Sequence, residues 1–426
     1  MNILVIGSGG REHTLVWKIS QSSKAAKIYA LPGNPGMKNI AECVDGISIE
    51  DNSKIIDFAK AKNIGLIVIG PEIPLMNGLA DDLQKADIPV FGPVKAAALL
   101  EGSKAFSKEI MRKYNIPTAK YETFKSAAAA KEYIKEEGAP IVVKADGLAA
   151  GKGVIVAETV EQALEAVDEI MCDKAFGNAG DCVVIEEFLE GEEASILAFT
   201  DGKIIKPMLA AQDHKRIFDG DKGPNTGGMG TYAPAPVIDE KIMNQVQKEV
   251  LEPIIAAMQK ENKKYQGCLY AGLIITDKGP KVIEFNARFG DPETQVILPL
   301  LKSDLVEIMI SCTNGTLHKQ DILWDKKTAV CVVLAAGGYP RQYKKGEPIK
   351  GLEDADKAGA LVFHAGTRAV DGQIVTDGGR VLGIVSTGKD IKEAIANTYR
   401  DAALITFADM QFRKDIAQKA FRHLKQ

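Results

Sequence analysis

The sequence is poor in the features that membrane, secreted and metal-thiolate proteins require. Its 426 residues contain no apolar run near the roughly 20 residues that cross a bilayer. The six cysteines lie far apart without a Cys-x-x-Cys pair, and the five histidines include no His-x-x-x-His pair. We therefore expect reduced cysteines in the core of a cytoplasmic protein, with neither export nor membrane anchoring.

An excess of charge of one sign is also missing. The 53 Lys and Arg residues nearly balance the 57 Asp and Glu residues, the net charge is -4, and no segment concentrates basic residues. Nucleic acid is therefore not an expected partner, and small molecules are. The sequence also lacks a Gly-x-Ser-x-Gly elbow and a plausible cysteine nucleophile, which argues against covalent acyl-enzyme chemistry.

Short apolar runs alternate with amphipathic stretches over residues 1–103. The runs ILVIG, KIYAL, LIVIG and PVFG predict strands of an open parallel sheet with helices on both faces. Loops rich in Gly and Pro follow these strands, at the edge where open α/β sheets bind ligands. The first loop, GSGGREH, fails as a dinucleotide fingerprint because Glu12 replaces its third small residue. It is expected to bind an anion through free N–H groups, or else to be only a tight turn.

The rest of the chain predicts two further α/β domains, which agrees with the length of the chain. Residues 104–327 begin with a helical segment and include a compact unit of strands and helices at about 118–190. A helix at about 239–260 and two strands around the turn DKGP follow. From residue 328, three strands and a helix at 390–402 predict a smaller domain.

The stretch KVIEFNARFGDPETQ carries polar residues at alternate positions of an apolar strand. Because successive side chains of a strand point to opposite faces, Glu284, Asn286 and Arg288 are expected on one face. A carboxylate and an amide oxygen suit Mg²⁺, which also takes water and substrate phosphates as ligands. Arg288 would then stabilise a developing anion. The alternative is an ordinary solvent-facing strand, and the neighbouring Asp291 and Glu293 weigh against it.

Two segments have the composition of a nucleotide site. The loop KADGLAAGKGV combines glycines with Lys144 and Lys152 and resembles a phosphate cradle. It is not a Walker A motif, because Gly153 follows the second lysine, and a flexible hairpin tip is the alternative. The acidic segment EEFLEG can offer main-chain groups to adenine, with Glu193 accepting ribose hydroxyls, although such glutamates are more often a solvated edge.

A third segment, GPNTGGMG, follows the polar residues Asp213, His214, Lys215 and Arg216. The whole stretch predicts a long loop, and a loop of this length is usually functional or disordered. His214 is expected to be a hydrogen-bonding residue of this loop rather than a metal ligand.

The ordered blocks of the sequence resemble those of the phosphoribosylamine–glycine ligases. The blocks are GSGGREH, PGNPG, GPEIPL, EGSKAFSK, VVKADGLAAGKGV, IEEFLEGEEAS, QDHKR, GPNTGGMG and VIEFNARFGDPETQ, with AAGGYP, VFHAGT and GGRVL near the end. The resemblance implies a substrate-binding domain at 1–103, an ATP-grasp fold at 104–327 with a mobile lid that excludes water, and a C-terminal domain at 328–426. It also implies that ATP, glycine and 5-phosphoribosylamine give glycinamide ribonucleotide, ADP and phosphate through glycyl phosphate, in de novo purine biosynthesis.

The resemblance further implies roles for individual residues. Glu284 and Asn286 would bind Mg²⁺ or Mn²⁺, and the expected catalytic residues are Arg288, Lys144 and Asp213. ATP would contact the lid, its hinge and the preceding helix through Lys104, Lys144, Gly147, Gly151, Lys152, Gly153, Glu186, Glu187, Leu189 and Glu193. The other substrates and the intermediate would contact Gly9, Gly10, Asn34, Gly36, Glu72, Asn225, Thr226, Gly227, Gly228, Met229 and Asp291.

Three alternatives share part of this pattern. Another ATP-grasp carboxylate–amine ligase or carboxylase would share the nucleotide site but not the substrates. An NAD-dependent oxidoreductase would need an acidic ribose ligand that the end of the second strand lacks. A non-catalytic ATP-binding module would not need the metal pair and the arginine. The protein is expected to be a monomer.

Overall fold

The computed structural model describes residues 1–148 and 153–424. The first part of the chain forms a five-stranded parallel sheet of order β3-β2-β1-β4-β5. Its strands are β1 (Asn2–Gly7), β2 (Lys27–Pro32), β3 (Glu42–Cys43), β4 (Ile64–Ile69) and β5 (Val90–Phe91). Its helices are α1 (Gly10–Ile19), α2 (Asn52–Ala61), α3 (Glu72–Met76), α4 (Leu79–Lys85) and α5 (Lys95–Gly102). Side chains of β1 point into two different clusters of buried residues, as expected for a parallel sheet covered on both faces, so the prediction is confirmed.

A capped helix connects this sheet to a small four-stranded unit. The hydroxyl of Ser103 accepts a hydrogen bond from the N–H of Phe106 and begins α6 (Lys104–Lys113). The unit that follows consists of β6 (Tyr121–Phe124), α7 (Ala127–Glu137), β7 (Ile141–Ala145), β8 (Val154–Ala157), α8 (Val160–Val167) and β9 (Val183–Glu187). Its antiparallel sheet has the order β6-β9-β7-β8, and its buried residues form a separate cluster. The predicted compact unit of strands and helices is confirmed. We call this unit the lid.

The central sheet carries the strand with the predicted metal ligands. The elements of this part are β10 (Glu192–Thr200), β11 (Ile205–Pro207), β12 (Gln212–Asp213), β13 (Arg216–Phe218), β14 (Lys222–Asn225), β15 (Gly230–Ala233), α9 (Glu240–Val246), α10 (Glu252–Lys260), β16 (Gly267–Thr276) and β17 (Gly279–Asn286). The central sheet is antiparallel, with the order β11-β10-β16-β17. A turn of π-helix at Gln247–Leu251 joins α9 to α10, so the predicted helix at 239–260 is confirmed.

The remaining elements form the C-terminal sheet, a separate hairpin of β20 and β21, and the helices beside them. They are α11 (Thr294–Ile297), α12 (Leu305–Asn314), β18 (Thr328–Ala335), α13 (Leu352–Lys357), β19 (Leu361–His364), β20 (Thr367–Val370), β21 (Gln373–Thr376), β22 (Arg380–Gly388) and α14 (Ile391–Ala402). The sheet order is β12-β15-β18-β22-β19, so two strands from residues 212–233 belong to it. The prediction of one long loop there is therefore wrong: β13 and β14 pair as a hairpin, and β15 pairs with β18.

Two other expectations concern cysteines and membranes. All six cysteines are free. Cys268, Cys312 and Cys331 are buried as predicted, but Cys172 is exposed, so the expectation of a core position is wrong for that residue. None of the helices in the described part of the chain has the length and apolar character that a membrane span requires.

Candidate active site

Glu284 and Asn286 lie on the same face of β17, and the amide of Asn286 helps to lower the pKa of the Glu284 carboxyl group. Glu284 stands opposite Gly272 of β16, where a Cβ atom would come within 3.3 Å of the Glu284 Cγ. Gly272 therefore leaves space beside the carboxylate. β17 ends at Asn286, so the prediction that Arg288 continues this strand face is wrong.

The charge environment keeps the carboxylate of Glu284 ionised. Burial acts to raise the pKa of Glu284, but Lys215, Lys144 and Lys104 outweigh it, so that the pKa lies below its usual value. An ionised carboxylate beside an amide oxygen is a donor set that fits Mg²⁺ or Mn²⁺. Residues 1–148 and 153–424 contain no group of three or more His, Cys, Asp or Glu side chains placed to hold a metal. The pair thus fits an ion that also takes water and phosphate oxygens as ligands.

Lys104, in the first turn of α6, contacts the glycine loop of the lid. Its Nζ donates a hydrogen bond to the carbonyl oxygen of Gly147 at 3.0 Å. The hydroxyl of Ser103 donates to Oδ1 of Asp146 at 3.1 Å, so a second hydrogen bond joins the start of α6 to this loop. Gly147 has φ +123°, a conformation that favours glycine. Farther along the loop, the Gly153 carbonyl accepts a hydrogen bond from the N–H of Ala145 at 2.8 Å. Two predicted phosphate contacts lie outside the described residues: Gly151 and Lys152.

A buried group of two lysines and one glutamate lies beneath the hinge of the lid. Nζ of Lys144 is 2.8 Å from Oε1 of Glu186, and Nζ of Lys108 is 2.8 Å from Oε2. The exposed fraction of each side chain is between 2% and 5%. Both carboxylate oxygens of Glu186 therefore face lysines, while its main chain lies in β9 between β6 and β7. The sequence prediction missed Lys108, although its position four residues after Lys104 places it on the same helix face.

The hinge itself runs from the end of β9 to the start of β10. Oε1 of Glu187 lies 2.9 Å from Nζ of Lys281, and Leu189 is half-buried. Oε2 of Glu193 lies 2.7 Å from Nζ of Lys215, and the charge of Lys215 is the main cause that lowers the pKa of Glu193. With 48% of its side chain exposed, Glu193 still has an oxygen available to a ligand.

Asp213 and Lys215 differ sharply in their affinity for protons. Burial raises the pKa of Asp213 to about 7, although the charge of Lys215 opposes that effect. Burial acts to lower the pKa of Lys215, but Glu193 and Asp213 outweigh it and raise that pKa well above its usual value. The site therefore combines a carboxyl group that titrates near neutral pH with an amine that stays charged.

Arg288 is held by two carboxylates from the first part of the chain. Its Nε lies 3.1 Å from Oε2 of Glu72, and its Nη2 lies 2.8 Å from Oε1 of Glu101. Burial raises the pKa of Glu101, while Arg288 opposes this effect. Glu72 was predicted to contact substrate, and the structure places its carboxylate on the candidate catalytic arginine. Glu101 was missed because only the fold brings it near residue 288.

The loop before α1 opens into a cavity of about 390 Å³ that reaches Asp291. Two N–H groups of the motif GSGGREH already have protein partners: Gly9 donates to Oε2 of Glu12 at 2.7 Å, and Arg11, in the first turn of α1, donates to Oδ2 of Asp291 at 3.3 Å. The expectation that these amides are free for an anion is therefore wrong for Gly9 and Arg11. Gly10 packs so closely that a Cβ atom would come within 2.7 Å of Nε2 of Gln295.

Asn34 and Gly36 lie where the first sheet meets the C-terminal sheet. The amide of Asn34 donates to the carbonyl oxygens of Ser8 and His364, at 2.8 and 2.9 Å. A Cβ atom on Gly36 would come within 2.5 Å of both His13 and His364. The structure thus gives both predicted substrate contacts a packing role.

The residues 225–229, which we call the substrate loop, lie beside Asp213. Asn225 ends β14, and the Thr226 hydroxyl donates to the carbonyl oxygen of Lys215 at 2.8 Å. Gly228 has φ +112°, and a Cβ atom there would come within 2.5 Å of Cδ of Pro292 and 3.6 Å of Oδ2 of Asp213. Its conformation and its neighbours both require glycine. Met229, the last residue of the loop, is buried.

One buried polar network near this loop was not predicted. The hydroxyls of Ser195 and Tyr270 lie 2.8 Å apart, and both donate to Oε1 of Glu293, at 3.1 and 3.0 Å. Glu293 stands in the motif GDPETQ and Ser195 ends the block IEEFLEGEEAS, but Tyr270 lies in an apolar strand that carries no sign of function.

Comparison with known families agrees with this arrangement along nearly the whole chain. Three models of phosphoribosylglycinamide synthetase match it: the N domain at residues 1–101, the ATP-grasp (A) domain at 102–294 and the C domain at 329–419. The chain belongs to the phosphoribosylglycinamide synthetase family. The resemblance and the fold class that the sequence indicated are confirmed.

Individual relatives of this synthetase family extend over the same length. A phosphoribosylamine–glycine ligase of Halalkalibacterium halodurans is 51% identical over 420 residues, which cover 99% of this chain and 97% of the relative. One from Agrobacterium fabrum is 51% identical over 425 residues, which cover 100% of this chain and 100% of the relative. The crystal structure of a phosphoribosylamine–glycine ligase from Thermotoga maritima matches with a TM-score of 0.86 and 35% identity, over 98% of this chain and 100% of that chain.

Proposed function

We propose that this protein is an ATP-dependent ligase that joins glycine to 5-phosphoribosylamine, giving glycinamide ribonucleotide, ADP and phosphate in de novo purine biosynthesis. The observation that carries the proposal is the ionised Glu284 beside Asn286, facing Lys104, Lys144 and Lys215. This arrangement suits a triphosphate with a divalent cation. The similarity to phosphoribosylamine–glycine ligases over the full chain supports the choice of the other two substrates.

The nucleotide would lie between the lid and β17. Lys104 and Lys144 would contact its phosphates, the main chain at 186–189 would contact adenine, and Glu193 would contact ribose. Glu284 and Asn286 would hold Mg²⁺ or Mn²⁺, and the bound ion would neutralise charge on the phosphates.

In the first chemical step, a carboxylate oxygen of glycine attacks the γ-phosphorus of ATP. A phosphorus–oxygen bond forms, the bond to the leaving ADP oxygen breaks, and the product is glycyl phosphate. Such a transfer requires positioning and charge neutralisation more than a protein nucleophile. Arg288, which Glu72 and Glu101 hold in one place, is available to stabilise the transferring group.

In the second step, the amine nitrogen of phosphoribosylamine attacks the carbonyl carbon of glycyl phosphate. A carbon–nitrogen bond forms, the carbon–oxygen bond to phosphate breaks, and the amine loses a proton. Asp213, with a pKa of about 7, is suited to accept that proton near neutral pH. The lid would keep water from the acyl phosphate during this step.

A coupled assay of ADP formation tests the proposal, with phosphoribosylamine generated in the reaction mixture. ADP should form only when glycine and phosphoribosylamine are both present, and the product should contain the glycyl group by mass spectrometry. ADP formation driven by bicarbonate would favour an ATP-grasp carboxylase instead, and tight binding of NAD would favour an oxidoreductase. The cytoplasmic location and the monomeric state stay predictions, which fractionation and light scattering can check.

A further inference from the structure

The C-terminal motifs AAGGYP and GGRVL have no role in the function described above, yet both reach the substrate loop. Tyr339 belongs to the first motif and Arg380 to the second. The N–H of Gly227 donates a hydrogen bond to the Tyr339 hydroxyl at 3.1 Å. The carbonyl oxygen of Gly227 accepts one from Nη1 of Arg380 at 2.6 Å. One residue at the centre of the loop is thus held through both of its main-chain polar groups.

Arg380 also joins the loop to Asp291. The same Nη1 donates to the carbonyl oxygen of Asp291 at 2.8 Å and lies 3.3 Å from its Oδ1. A side chain on Gly227 would crowd this guanidinium, because a Cβ atom there would lie 3.0 Å from the Arg380 Cζ. The arginine therefore fixes the distance between the substrate loop and the turn that follows β17.

The local structure of the motifs places these two side chains. Arg380 begins β22 and stands opposite Ala335, the last residue of β18, so the strand register sets its position. Tyr339 packs against Ile217, Met229 and Ala335. A side chain at Gly379 would overlap the Tyr339 ring, which accounts for a glycine at that position. Both side chains are therefore positioned before any ligand arrives.

We propose that Tyr339 and Arg380 are positioning residues that clamp the Gly227 peptide and so hold the substrate loop against Asp291 in the conformation that binds glycine. This inference rests on the proposed function and on the expectation that residues 225–229 contact glycine. The clamp gives the C-terminal sheet a direct part in substrate binding, although it stands outside the ATP site.

Two substitutions test the clamp by steady-state kinetics. Tyr339→Phe removes one hydroxyl and keeps the ring, so the KM for glycine should rise about three- to tenfold, the range expected for one neutral hydrogen bond. Arg380→Gln removes charged hydrogen bonds, and the KM for glycine should rise about ten- to a hundredfold. The kcat and the KM for ATP should change less than about twofold. Contacts that bind glycine equally well in the ground state and in the transition state affect only the KM for glycine.

The control is Tyr343→Phe. The ring of Tyr343 lies 6.2 Å from that of Tyr339 and is outside the hydrogen bonds to Gly227, so the KM for glycine should not change. If Tyr339 has only a structural role, Tyr339→Phe should lower the melting temperature and should not affect the KM for glycine more than the KM for ATP. If Arg380→Gln fails to fold, the KM for glycine of Tyr339→Phe decides whether the proposal holds.

Hydrogen–deuterium exchange tests the clamp without any activity. Peptides that contain Gly227 should exchange faster in Tyr339→Phe than in the wild type, and at the wild-type rate in Tyr343→Phe. Unchanged exchange together with an unchanged KM for glycine would overturn the proposal, and so would equal increases in the KM for glycine and ATP. A wild-type enzyme that forms no ADP with glycine would overturn the proposed function, while the exchange experiment would still test the clamp.

Discussion

The Nζ of Lys108 lies 2.8 Å from Oε2 of Glu186 at a place that solvent hardly reaches, since only 2% and 4% of the two side chains are exposed. Burial lowers the pKa of Lys108 to about 8, although Glu186 acts against this shift. A buried ion pair contributes little when intact, but the loss of one partner is costly because the other charge stays buried without it.

We therefore expect Lys108→Met to lower the free energy of unfolding by about 3 kcal/mol, measured by urea denaturation. The KM for ATP should also rise, because Glu186 would then hold Lys144 more tightly. Adding Glu186→Gln should lower the stability further, because the buried Lys144 would then lose its carboxylate partner. Lys113→Met is the matched control: it breaks an exposed pair with Glu261 and should leave the stability nearly unchanged. Equal effects of Lys108→Met and Lys113→Met would contradict the prediction.

The activity should depend on the protonation state of Asp213. Because only the ionised carboxyl group accepts a proton, kcat should rise with pH through about 7 and level off above it. Asp213→Asn should lower kcat about a hundredfold or more and remove this limb of the profile. A rate profile from pH 5.5 to 9 tests this, and an unchanged limb in the variant would assign the titration to another group.

The same substitution should stabilise the protein at alkaline pH. The pKa of Asp213 is about 7 in the folded state, whereas its usual value is 3.8. Between these two pH values the folded state therefore binds more protons than the unfolded state. Stability is therefore lost as pH rises through this window. Asp213→Asn should melt at a higher temperature than the wild type at pH 8, and the difference should shrink towards pH 4. A lower melting temperature at pH 8 would show that the carboxylate is not desolvated.

Substitution of Glu284 should separate nucleotide binding from turnover. Glu284→Gln removes the charged metal ligand but leaves the lysines that face the phosphates, so ATP should still bind while kcat falls about a hundredfold or more. The Mg²⁺ concentration needed for half-maximal activity should also rise. Glu353→Gln, at a side chain 91% exposed, is the control and should behave as the wild type. Wild-type turnover in Glu284→Gln would refute the metal assignment.

Acid should weaken the protein partly through His13. Burial, with a smaller effect of His364, lowers the pKa of His13 to about 3, and its Nδ1 accepts the N–H of His364 at 2.8 Å. The unfolded chain therefore binds more protons between pH 3 and 6.5, so stability falls as pH falls through this window. The contribution of one such histidine is at most about 1.4 kcal/mol per pH unit.

The test is the melting temperature between pH 7.5 and 5 for His13→Asn, a variant that retains a side-chain hydrogen-bond acceptor. Its loss of stability in acid should be smaller than that of the wild type. His318→Asn, at an exposed position, should follow the wild type. A wild-type response in His13→Asn would show that the buried ring does not contribute to the acid sensitivity.

Much of the fold could be predicted because the relevant signals are local. Apolar runs such as ILVIG predicted the parallel strands, and alternation placed Glu284 and Asn286 on one face. The prediction for Arg288 failed because the strand ends before this residue. The position of its side chain depends instead on Glu72 and Glu101, about two hundred residues away in sequence. Alternation predicts orientation only while a strand continues.

The parts that were missed depend on pairing between distant segments. The stretch that contains β13, β14 and β15 is rich in Gly and Pro, so its composition indicates a loop. β15 is nevertheless a strand, because β18 supplies its hydrogen-bond partners. Ser195 and Tyr270 were missed for the same reason, since only the fold brings them to Glu293.

The pairing of β15 with β18 bears on how the chain can be divided for expression. Tyr232 is opposite Val330 and Gly230 is opposite Val332 across the junction predicted at residue 328. A fragment cut at that junction would expose one edge of an apolar strand, which is a template for aggregation. Recombinant fragments that begin at residue 328 should therefore aggregate more readily than the full chain, because β18 lacks its neighbour β15.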